Sequence, residues 1–535
     1  MASLTPPPAK ALPFNDARGC KEWLNALPLT NIPQAQALAL EALRALNAAD
    51  VAGLERLKCL ELMRDKIAFL QGEQRSRYFG KTLPLSVNDS NAWTTGRTLL
   101  EEMEAGYRLC LGAVAGEGGE IARHLGLVSQ RIMRYIGTQM LFHAMVYRRF
   151  DPQLWTRLHQ QYLDAEATHV ALERVKDSLE GEGGESSVSE TYAQMVLIQA
   201  AFLSEMTAPQ MDFADALLRL WARKVQILKE SPETNRGALD PLVVDLAKPI
   251  GARPQTRGSV QPTQRVLDID QLSRSMRKRI HGMQNGEDMA TLGLPTQASA
   301  LDSFTELQRL HKLWCEGAPP RPAAKPASQP TAGLVFGMGE IHFFVSGGKA
   351  FEQPDRKREL TRQEKQDIEV FGRVREATQS RMVADFNYTV EPWVMVDEML
   401  GAVRVLRPAT ASRGIGIGRL VGLRQGDTAP FYLGYLSELT HETDGRIIAT
   451  VTIFPGKPEP LPVRSGDARN RANAQWVQGF RLAAIEKLKI PESLIVQSGM
   501  GSRGRGVESW NEGAKEYTVE AVLYHGSDFE RVTIF

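Results

Sequence analysis

Four cysteines in 535 residues, Cys20, Cys59, Cys110 and Cys315, are too few and too far apart for a disulfide framework. None stands in a C-x-x-C pair, so neither a zinc nor a dithiol site is expected, and a reducing cytoplasm is the expected setting. Charge of one sign is also missing. Lys and Arg number 64 against 63 Asp and Glu, a formal net charge of +1 that excludes a whole-molecule electrostatic case for nucleic acid or an anionic membrane. No apolar run approaches the roughly 18 residues of a membrane span. The longest candidate, Ala193 to Leu203, is interrupted by Gln and falls in a helical pattern. The opening MASLTPPPAK has no apolar signal-peptide core. Catalytic signatures are absent too: there is no G-x-S-x-G, H-E-x-x-H or P-loop, and the nine histidines are scattered. No enzyme, cofactor or metal is expected. What is there is ordinary globular material, 43% apolar and 24% charged, long enough for about three or four structural units.

In chain order, residues 1–33 read as a Pro-rich arm and residues 34–230 as helical hairpins. Leu54, Leu57, Leu60, Leu62, Met63 and Ile67 recur at spacings of three and four, as one buried stripe requires. Breaks fall at Leu83-Pro84, Gly116 to Gly119, Asp151-Pro152, Gly181 to Gly184 and Ala208-Pro209. Trp155, Leu158 and Tyr162, followed by Ala171 and Val175, resemble one copy of the tetratricopeptide pattern, with no second copy at the expected period. Residues 231–265 read as a linker with an ordered insert at Pro241 to Leu246, and residues 266–316 as helix. There Arg274, Arg277, Lys278 and Arg279 read as a solvated face outside Leu272, Met276 and Ile280.

Composition then changes. Residues 317–330 form a Pro/Ala linker with no means of building a core. Beyond it, Thr331 to Phe336 and Glu340 to Val345 read as strands, and Arg356 to Asp385 as a charged helix. From Thr389 to Phe454, short apolar and β-branched runs bounded by Gly and Pro predict antiparallel strands of a small barrel or sandwich. Gly414-Ile415-Gly416-Ile417-Gly418 precedes a strand, whereas a phosphate-cradling loop should open a helix. In the tail, residues 466–535, a helix (Ala474 to Leu488), an Arg/Gly loop (Ser498 to Gly506) and two strands are expected.

Over residues 320–465 the order of elements resembles the PilZ family, bacterial β-barrel receptors for cyclic di-GMP. The family's R-x-x-x-R leader maps to Arg321-Pro322-Ala323-Ala324-Lys325, with Lys in place of the second Arg. Its [D/N]-x-S-x-x-G motif maps to residues 397–402: Asp397 is kept, Ser has become Met399, and Gly has become Ala402 beside Gly401. The resemblance implies that Arg321 and Lys325 face phosphate and the guanine edge, and that Asp397, Met399 and Ala402 line the opposite side. Lys325 and Asp397 lie 72 positions apart, so residues from Gly347 to about Asp385 would be a helical insertion. The chain also resembles long bacterial proteins that join a helical N-terminal half to a degenerate PilZ-like end.

The expected fold is therefore α+β and multidomain: a mostly helical N-terminal half, TPR-like in part, then a PilZ-like β-barrel at 331–465 with a helical insertion, and an α/β extension at 466–535. Two functions follow. One is a regulatory protein with cyclic di-GMP as its ligand. The other is a ligand-independent, chaperone-like adaptor or scaffold. In both, the helical half holds a protein partner, with no nucleic acid and no membrane insertion.

Overall fold

The computed structural model describes residues 11–180, 184–230, 242–254, 260–296, 300–317, 323–354, 362–371, 388–411, 413–426, 429–466 and 475–535. The chain divides into two units, Met1–Pro320 and Arg321–Phe535. The first is helical, the second is built of β-barrels, and the class is α+β multidomain.

Helix starts in the first unit follow local chemistry. α1 (Ala17–Asn25) opens on Asp16, whose carboxylate accepts from the Gly19 amide at 2.7 Å. α2 (Ile32–Ala48) opens on Asn31 with proline in its first turn, and α4 (Val87–Gly116) on Ser86. α3 (Gly53–Arg75) buries Leu57, Leu60, Met63 and Ile67, the stripe legible in the sequence. α5 (Leu125–Ala144), α6 (Gln153–Ala167), α7 (Val188–Gln199) and α8 (Ala208–Trp221) extend the same core.

The tetratricopeptide resemblance stops at α6. Trp155, Leu158 and Tyr162 are buried there, but His169 enters the left-handed region (φ +62) and ends the helical course. Ala171 and Val175 then lie outside any helix, and Val175 belongs to a two-residue ladder of β1 (Val175–Lys176) with β2 (Glu185–Ser186). Tyr162 instead stacks on Tyr192 of α7, ring centroids 4.5 Å apart. Trp155 stacks on His159 at 5.3 Å, and a β-carbon on Gly251 would meet its ring at 2.9 Å. Trp155→Ala should therefore lower stability by about 3–5 kcal/mol, measured by denaturant unfolding. A mutant that keeps its melting temperature and loses only partner binding would refute this packing role.

The expected linker is also more than a linker. β3 (Gln226–Leu228), β4 (Leu242–Asp245), β5 (Arg253–Pro254) and β6 (Gln264–Asp268) form a four-stranded antiparallel sheet in the order β3-β6-β4-β5. Leu242, Val243, Val244, Val266 and Leu267 are buried, so both faces of the sheet are covered; β4 is the ordered insert expected at Pro241 to Leu246, whereas residues 266–268, expected as helix, are strand. α9 (Asp270–Gln284) and α10 (Ala300–Cys315) complete the unit. On α9, Arg274, Arg277 and Lys278 are exposed and Leu272 and Met276 buried.

In the second unit β7 (Lys325–Pro326) and β8 (Thr331–Phe336) lie end to end along β9 (Glu391–Met399). With β10 (Ala402–Leu406), β11 (Leu420–Gln425), β12 (Tyr432–His441) and β13 (Ile447–Ile453) they close an antiparallel six-stranded barrel, β8-β9-β10-β13-β12-β11 and back to β8. Trp393, Val405, Leu436, Ala449 and Val451 fill it. Glu340 to Val345 is helix and not strand: α11 (Met338–Val345) starts after Gly337, φ +91. An apolar run of that length does not distinguish the two. Of the expected charged helix, α12 (Arg362–Phe371) is helical, and residues 355–361 and 372–387 lie outside the described residues.

The tail is a second barrel. β14 (Pro458–Ser465), β15 (Val477–Leu482), β16 (Ser493–Gln497), β17 (Gly506–Trp510), β18 (Ala514–His525) and β19 (Phe529–Ile534) close in the order β14-β15-β16-β19-β18-β17. Its first strand comes from the stretch assigned to the first barrel. The helix expected over Ala474 to Leu488 is strand β15 followed by a single turn, Glu486–Leu488. Ala483 to Leu488 is rich in helix formers, yet Phe480 and Leu482 pair with β14 and β16 and are buried, so tertiary pairing outweighs propensity. The barrels share a core in which Phe431, Leu433 and Phe454 meet Phe480, Leu482 and Phe529.

Candidate functional site

Asp397, Met399 and Ala402 stand at one end of the first barrel, on the β9–β10 hairpin. Met399 pairs with Ala402 across a two-residue turn, Leu400-Gly401. Gly401 holds the left-handed conformation (φ +75), and Leu400 is 91% exposed at the tip. The glycine that this turn needs is Gly401. Ala402 is already in the strand, paired with both Met399 and Thr452, so no positive φ is required of it.

Backbone pairing brings the leader to the hairpin despite the 72 intervening positions. Lys325 stands opposite Glu398 and Pro326 opposite Asp397, and Lys325 is exposed. Ser328 fixes the approach: its amide and hydroxyl donate to Glu398 Oε1 at 2.9 and 2.6 Å and hold that carboxyl below its usual range. Arg321 lies outside the described residues.

Asp397 has a partner that the sequence reading missed. Arg404, opposite it on β10, donates from Nη1 to Asp397 Oδ2 at 3.0 Å. The other carboxylate oxygen, Oδ1, is buried and accepts no hydrogen bond from the described residues. Given a two-residue turn, position 404 must pair with 397, and the Val403-Arg404-Val405 alternation turns Arg404 outward. Turn length was the signal that could have found it. The sequence also spaces Arg358 and Arg362 as R-x-x-x-R; Arg358 lies outside the described residues, and Arg362 opens α12, exposed.

The register continues outward across the sheet. Arg404 pairs with Thr450, which pairs with Glu438 and donates to its carboxylate at 3.1 Å. One step along, Val394, Leu406 and Ile448 pair in a row, with Val394 47% exposed. A polar row thus runs beside an apolar one on the outer face of the barrel. A guanidinium beside an apolar shelf suits a planar, acceptor-bearing ligand.

The other motifs are structural. Gly418 (φ +77) accepts from the Ser527 amide at 2.8 Å, and the Leu420 amide donates to Asp528 at 2.8 Å, so the Gly/Ile segment joins the two barrels. Glu530 clamps the Arg/Gly loop by accepting from the Gly499 and Gly501 amides. Among the described residues no three His, Cys, Asp or Glu side chains are grouped to hold a metal ion, and no helix is long and apolar enough to cross a membrane. A cavity of about 370 Å³ in the helical unit, lined by Trp155, Phe202, Leu242 and Gly251, contains none of the candidate residues.

No curated protein matches the chain. Residues 18–233 match the family described as cyclic-di-GMP receptor FimW, N-terminal domain, a similarity confined to the helical unit that leaves both barrels outside it.

Proposed function

We propose that this is a non-enzymatic, cytoplasmic regulatory protein, with a degenerate PilZ-like first barrel as a weak receptor for cyclic di-GMP and a helical unit that holds a protein partner. The observation that carries the reading is the register of β7 on β9: Lys325 is set against Glu398, one residue from Asp397. The similarity of residues 18–233 to the N-terminal domain of a cyclic-di-GMP receptor adds independent support from the other unit.

A second reading, a ligand-independent adaptor, is favoured by the hairpin chemistry. Met399 has no donor for a ligand oxygen, and Asp397 is turned toward Arg404. Titration calorimetry of the full chain with cyclic di-GMP separates the two. The receptor reading expects saturable binding weaker than micromolar. No heat and no chemical-shift change at ligand in large excess would leave the adaptor reading standing.

A further inference from the structure

Asp397 has little left to offer a ligand. One carboxylate oxygen accepts from Arg404 and the other is buried, with the side chain 16% exposed. Arg404 is in the opposite position. Its side chain is 32% exposed, and its bond to Asp397 uses one of five N–H donors. It stands on the outer face between Asp397 and Thr450, next to the apolar row of Val394, Leu406 and Ile448.

We propose that Arg404, and not Asp397, is the residue of this hairpin that touches ligand. This inference rests on the receptor reading above. Asp397 is a positioning residue: it holds one edge of the guanidinium so that the fork faces paired acceptors, phosphate oxygens or the O6/N7 edge of a purine. The apolar row covers a base face. Arg404 thereby supplies the planar donor that the leader lacks at Lys325, where an ammonium offers only a point charge.

The test is calorimetry and side-chain guanidinium NMR on the full chain with cyclic di-GMP, for wild type, Arg404→Lys, Arg404→Gln and Asp397→Asn. Arg404→Lys keeps a cation beside Asp397 but removes the fork, and should weaken binding by at least about tenfold at an unchanged melting temperature. Asp397→Asn keeps an acceptor for Arg404 and should weaken binding less. The Gln variant covers a Lys variant that fails to fold. Wild-type affinity in whichever Arg404 variant folds, or a larger loss in Asp397→Asn than in Arg404→Lys, overturns the assignment and leaves the receptor reading intact. If wild type itself shows neither heat nor shift, the receptor reading falls and this inference falls with it.

Discussion

Replacing Asp177 by asparagine is expected to destabilise the helical unit by about 3–5 kcal/mol, the cost of leaving buried Arg64 without its counter-charge, whereas Arg131 and Arg134 also pair with Glu61 and Glu180. Asp177 is fully buried, between β1 and β2, among three arginines that are themselves at most 4% exposed. Arg64 donates to it at 2.6 Å, Gln130 at 3.1 Å and the Leu179 amide at 3.1 Å, while Arg131 and Arg134 approach within 3.6 and 3.7 Å. Burial alone would raise its pKa, but Arg134, Arg64 and Arg131 outweigh it and hold the carboxyl well below the usual range. Among the described residues two Arg64 nitrogens are already buried without partners, so losing the carboxylate deepens a deficit in hydrogen bonding.

The sign of the pH effect follows from that depressed value. Folding binds the ionised form more tightly, so the contribution is complete above the unfolded pKa near 3.8 and is lost as pH falls below it. Wild type and Asp177→Asn should therefore differ in melting temperature by a steady amount at neutral pH, begin to converge below about pH 4, and meet only as pH falls through the much lower folded-state value. An unchanged melting temperature at pH 7 would mean that the arginines are compensated elsewhere.

How much of this was legible depended on whether a residue's neighbours were close in sequence. The α3 stripe from Leu57 to Ile67 needs only its own helix, and the alternation of Ile447, Ala449 and Val451 only its own strand. The second barrel was not legible, because β15 is set by ladders to β14 and β16, and its continuation, Ala483 to Leu488, has the composition of a helix. The Asp177 cluster was invisible for the same reason: Arg64 and Asp177 are 113 residues apart, and a lone arginine in a helical stretch reads as surface. At the hairpin, a turn was legible within residues 397–401, but Asp397 to Met399 proved to be strand and the turn only Leu400-Gly401. Its consequence, that Arg404 faces Asp397, required the loop length to fix the register.

That register also decides how the degenerate motif should respond to repair. Lys325→Arg together with Met399→Ser is expected to raise affinity for cyclic di-GMP by about 2–4 kcal/mol, between one and three orders of magnitude. The first change turns a point charge into a fork at the strand facing Glu398; the second replaces a thioether by a hydroxyl that can donate to a ligand oxygen. Adding Ala402→Gly should contribute nothing, since the positive φ belongs to Gly401, and should cost about 0.5–1 kcal/mol of stability in the strand. Calorimetry on the double and triple variants, with thermal melting as the folding control, reads all three effects. A gain that appears only with Ala402→Gly would show that the hairpin must reshape to admit ligand. A folded double variant with no gain would mean that the leader lies elsewhere, Arg358 and Arg362 being the next pair to test. If Arg404→Lys then abolishes a gain obtained in the double variant, the fork at position 404 and the repaired leader act on the same ligand.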